Sequence, residues 1–164
     1  ATLVDKLYNC NLKVNIKDVA NHIVSLKIDP DLSDGKAEIV DKISKLHIKG
    51  KKRRVLVFAS KYCHFHKPDK FPIWDKFVAI GLEDLTNKNY LSNRDYSLFK
   101  QDIDNLSSAI SSRSSYSLGY KDLDTYLWLY GQWLYWKKKK KCENAEIKEL
   151  IKHKQALFTQ LEPP

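Results

Sequence analysis

At 164 residues, 43% of them apolar and 12% aromatic, the chain has the length of one domain and can bury about two-thirds of the surface it exposes when unfolded. That composition excludes a disordered tail, and only five Gly and five Pro argue against a many-turned β architecture. A formal net charge of +9 favours an anionic partner, with a plain solubility charge as the alternative.

Residues 1–14 read as a short helix or an ordered arm. Helical spacing becomes clear at Ile16, Val19, Ala20, Ile23, Val24 and Leu26, with Asn15 as N-cap and Asp29-Pro30 closing the helix. A second helix is predicted from Ser33 or Asp34 to Leu46, weakened in its first turn by Gly35. A connector at 47–52 leads to a helix from about Arg53 to His64. Two prolines then hold the loop 66–72, so the next helix starts no earlier than Ile73, with Asp75 placed to cap it. TNKNYLSN (86–93) is a polar loop, and a longer helix runs from about Asn93 to Ser111. The serine-rich segment 111–119 is the best hinge or loop candidate. Asp122–Trp136 is apolar nearly all round and central to the core, and it runs into Lys137–Lys141. A last helix is predicted from about Glu143 to Leu161. No segment has strand period and no repeat is found, so the expected fold is an all-α, compact multi-helix bundle forming one domain over 1–164.

Four constellations carry chemistry. In the first, Lys49, Gly50, Lys51, Lys52, Arg53 and Arg54 precede a helix start, where free N–H groups and the dipole already attract phosphate. Cations are unfavourable at that end of a helix, so the cluster reads either as half of an anion site or as a solvated charge run. The second, Lys137–Lys141, follows a helix C-terminus, where cations suit the dipole without any ligand. Third, Cys63-His64-x-His66 offers three donors but no fourth at metal spacing, so no metal and no cofactor is expected. Lys61 on the same helix is an exposed side chain or, if desolvated, a catalytic amine. The fourth is Asp75, either a cap or a carboxylate that stabilises charge on a sugar during glycosidic cleavage. Tyr62, His66 and Trp74 are the rings on which an extruded base would stack.

Three scattered cysteines, Cys10, Cys63 and Cys142, make neither a disulfide framework nor a paired metal site. With no signal peptide and no apolar run of membrane-spanning length, a cytoplasmic setting without a membrane partner is expected.

The stretch Val57–Val78 resembles the helix-hairpin-helix DNA glycosylase superfamily, particularly its archaeal-type 8-oxoguanine branch. The resemblance is carried by Ala59-Ser60, the loop from His64 to Pro72, and Ile73-Trp74-Asp75. It implies that Asp75 is the catalytic carboxylate and that the 49–54 turn grips phosphate of double-stranded DNA. Val57 stands where bifunctional members carry their lysine, so the implied activity is monofunctional base excision, with Lys61 substituting only from another direction. Three cysteines exclude the iron–sulfur variant. The alternatives are a non-catalytic nucleic-acid-binding module of a defence or regulatory system, and a helical domain that binds a protein partner.

Overall fold

A computed structural model describes residues 1–7, 12, 15–48, 51–113, 118–139 and 144–153. The chain is mostly α-helical, as the spacing predicts, and among the described residues its one sheet has two strands. It divides into two compact units, Ala1–Trp74 with Arg94–Asp104, and Asp75–Asn93 with Asn105–Pro164.

The first unit begins with α1 (Thr2–Leu7) and α2 (Ile16–Ser25). Asn15 caps α2 as expected, its side chain accepting from the Lys17 amide at 2.9 Å. Val24, assigned above to the apolar face, is 76% exposed, because the buried side of α2 is carried by Val19 and Ile23 alone. Pro30 does not close α2. It sits in the first turn of a new helix, α3 (Asp29–Asp34), where its missing N–H costs nothing. Gly35 then ends α3 in the left-handed conformation at φ 75°, so the single helix predicted from Ser33 to Leu46 is broken there. What remains of it is α4 (Glu38–Ser44), with Ile39, Val40 and Ile43 buried.

Next comes the main departure from the sequence reading. Two antiparallel strands, β1 (Lys45–Ile48) and β2 (Lys51–Arg54), pair where a helix end, a connector and a helix start are predicted. All four residues of β2 are exposed, so its sequence has no apolar alternation by which to read a strand. The available signal was Gly50 between two short runs with two residues separating the strands, a hairpin cue weaker than Asn-Gly. The Val55 amide donating to Ser44 O at 2.9 Å closes the root of the hairpin. Then α5 (Leu56–His66) buries Leu56, Phe58, Ala59, Ser60 and Cys63 against α1 and α4.

The second unit is built on α6 (Lys76–Thr86) and α9 (Tyr120–Lys139), with the short α7 (Tyr90–Asn93) beside α6. Within the predicted polar loop Tyr90 is 1% exposed, its hydroxyl 3.1 Å from Thr86 Oγ1. The helix α8 (Tyr96–Arg113) gives its first residues to the first unit and its remainder to the second. The tetrad 114–117 of the expected hinge and the end of the predicted last helix, 154–161, lie outside the described residues, as do Cys10 and Cys142. The last helix observed is α10 (Ala145–His153), whose Ile147 joins Tyr130 and Trp133 in a core cluster.

Candidate nucleic-acid interface

Register sets the face that each hairpin residue takes. Lys45 opposes Arg54 and His47 opposes Lys52, so these four share one side of the ribbon; Arg53 opposes Leu46 on the other. Leu46 is buried at 1% exposure and roots the ribbon in the core, while Lys45, His47, Lys51, Lys52 and Arg53 are exposed. Arg54 is the exception among the cations. Its guanidinium donates to Asp41 Oδ1 at 2.7 Å and also to the Arg94 carbonyl oxygen. It therefore anchors the ribbon, and the others stand clear on it. Lys49 and Gly50 lie outside the described residues.

Like charges directly opposed across two strands are destabilising, and Lys45 faces Arg54 with Asp41 as the counter-charge. An isolated two-stranded ribbon is marginal in water, and this one owes its shape to Leu46, the Arg54 anchor and the closed root. Lys45 and His47 are absent from the sequence-level site because only strand pairing brings them beside Lys52 and Arg54.

The loop leading to Asp75 is held at several points. His64 Nδ1 lies 2.8 Å from the Phe71 carbonyl, and the Tyr96 hydroxyl donates to Pro72 O at 2.7 Å. Ser60 Oγ accepts from the Trp74 amide at 3.1 Å and donates to Val57 O at 3.0 Å. Ser60 thus fixes the loop from inside. Asp75 opens the second unit and caps α6, its Oδ1 accepting from the Phe77 amide at 2.9 Å. The carboxylate is half-buried and has a structural task of its own. Asp75→Ala is expected to destabilise the fold by about 1 kcal/mol and Asp75→Asn by less than half of that, since asparagine caps nearly as well; urea melts of the two variants check it.

Of the three rings assigned to stacking, the structure brings two together. Tyr62 and His66 have centroids 4.7 Å apart on α5, and Phe65 meets His66 edge-on at 5.3 Å. Desolvation pushes the Tyr62 phenol above its usual range and the His66 imidazole below its own. Trp74 is different. Its side chain is 5% exposed and belongs to the core, its indole N–H buried without a partner, so it presents no open face to a base. Lys61 is half-buried on α5 and makes an interaction of its own.

Cys63 is fully buried, and burial pushes its thiol up to about 12. With Cys10 and Cys142 replaced by serine, the folded chain is expected to resist iodoacetamide at pH 8 and to react only in denaturant, as read by intact mass. No group of three or more His, Cys, Asp or Glu among the described residues is arranged to hold a metal ion. No helix among them is long and apolar enough to cross a membrane.

Where the resemblance to glycosylases implies a hairpin between two helices, the structure has a β-ribbon between α4 and α5. Residues 1–70 match the model of the family HI_0787_N, described as an N-terminal domain. Over 141 residues the chain is 33% identical to an uncharacterized protein of Haemophilus influenzae, a match covering 82% of this chain and 66% of that protein. No solved structure matches. The chain is thus similar to the HI_0787_N family over residues 1–70, and to its Haemophilus relative over most of its length.

Proposed function

We propose that this chain binds nucleic acid, double-stranded DNA in particular, by laying the basic ribbon of its first unit against the phosphate backbone. The observation that carries the reading is β2 itself, four consecutive cations all exposed, paired in register with Lys45 and His47. A two-stranded ribbon fits the width of a DNA major groove, and lysine and arginine along it neutralise phosphates with little regard to sequence. The net charge of +9 adds long-range attraction. The test is a salt series of binding to a duplex of arbitrary sequence. Binding that weakens steeply with salt supports the reading; no binding at 50 mM salt defeats it.

Base excision at Asp75 is the second reading, favoured by the half-buried place of that carboxylate at the head of α6. It requires Asp75 to act beyond its cap. Asp75→Asn separates the two roles, because it keeps the cap and removes the charge. Equal release of damaged bases by parent and variant, or none by either, leaves backbone binding as the activity.

A further inference from the structure

The second unit holds a cleft of about 640 Å³ that the ribbon does not use, a size typical of small-molecule sites. Its walls come from α6, α7 and the last turns of α9. Ile80, Leu91, Leu134 and Tyr135 supply apolar surface. Four lysines also line it, Lys76 from the first turn of α6 and Lys137, Lys138 and Lys139 from the last turn of α9.

Two carboxylates line it as well, and both already accept hydrogen bonds from the protein. Glu83 Oε1 accepts from the Leu91 amide at 2.8 Å, and Asp84 Oδ2 from the Tyr130 hydroxyl at 2.6 Å. The lysines outnumber them. Lysines at the end of α9 suit that helix's dipole and would by themselves be unremarkable. Lys76 is the informative one, because it sits at the positive end of α6, where a cation is disfavoured. It is held there over the Tyr135 ring at 4.3 Å and the Phe77 ring at 5.0 Å. Four lysines line a cleft with an apolar floor, and together they give it a cationic rim that suits an anion. From Lys76 to Asp84 is eight residues, about 12 Å along the helix axis.

We infer that this cleft binds a small amphipathic anion: a phosphate monoester on a flat apolar body, of nucleotide size. The phosphate lies among the lysines and the body lies over Ile80, Leu134 and Tyr135. The far end reaches Glu83 and Asp84, whose remaining lone pairs accept from an amine or hydroxyl. This site is separate from the ribbon and stands or falls by itself.

The experiment is isothermal titration of the full chain with adenosine monophosphate, with adenosine and inorganic phosphate as the body-only and charge-only probes. The nucleotide should saturate in the sub-millimolar range, about tenfold tighter than either fragment. Lys76→Gln, and separately Lys138→Gln with Lys139→Gln, should each weaken it by about tenfold, while the ribbon variant Lys51→Gln/Lys52→Gln/Arg53→Gln leaves it unchanged. The double variant lies at exposed positions and carries the test if Lys76→Gln melts early. No saturation, equal binding of adenosine or of phosphate, or loss on the ribbon variant instead of the cleft variants overturns the assignment.

Discussion

Gly131→Ala is expected to destabilise the second unit by about 3 kcal/mol, although alanine is the better helix former by about 1 kcal/mol. A Cβ at Gly131 would stand 1.9 Å from the Phe77 carbonyl oxygen and 3.1 Å from the Gly81 amide nitrogen. Both are backbone atoms, so no rotamer change relieves the clash, and α6 and α9 must separate. Gly81→Ala acts on the same contact from the other side, its Cβ 2.7 Å from the Leu127 carbonyl oxygen. Its cost should be smaller, about 2 kcal/mol, since a shift of a few tenths of an ångström goes further toward relieving it. Urea unfolding followed by tryptophan fluorescence reads both, because Trp128, Trp133 and Trp136 all lie on α9. An unchanged or raised midpoint for Gly131→Ala would mean that helix propensity governs here and the close approach does not exist.

The second large effect concerns DNA. Replacing Lys51, Lys52 and Arg53 together by glutamine should remove three phosphate contacts, so the slope of log K against log salt falls by about 2.7. At physiological salt that corresponds to an affinity loss of about a hundredfold. Arg54→Gln supplies the contrast. This arginine is held by Asp41 and the Arg94 carbonyl, so its loss should lower thermal stability and change the salt slope less than any one of the other three. A uniform slope change across all four positions would show a diffuse charge cloud and remove the ribbon's special role. A triple variant that binds as the parent does would end the nucleic-acid reading itself.

Parts of the molecule were legible from residue order because their causes are local. The Asn15 cap and the Asp75 cap involve partners within a few positions. The aromatic helix was legible too, since a 20-residue run rich in tryptophan and tyrosine has few alternatives to burial. Misreadings arose where one residue has two local meanings. Pro30 ends a helix or starts one, and Gly35 weakens a helix or terminates it; the choice depends on whether the next apolar positions meet the core. Val24 matched the apolar spacing of α2, yet its direction points away from anything to pack on.

The candidate sites divide in the same way. A basic stretch at 49–54 is visible to anyone counting charges, but its form as a ribbon is not, because a wholly exposed strand leaves no period to detect. Trp74 looked like a stacking ring from its neighbours in sequence and lies in the core. The lysine-lined cleft joins Lys76 to Lys137–Lys139, some sixty residues apart, through the antiparallel meeting of α6 and α9.

Residue order by itself determined the charge, the helical class and the caps, since a cap follows from backbone sterics and hydrogen bonds within a turn or two. Tertiary structure alone decided which cations share a face, which rings see solvent and where two helices touch through glycine. Those outcomes depend on strand register and on backbone atoms distant in the chain, and no local propensity encodes either.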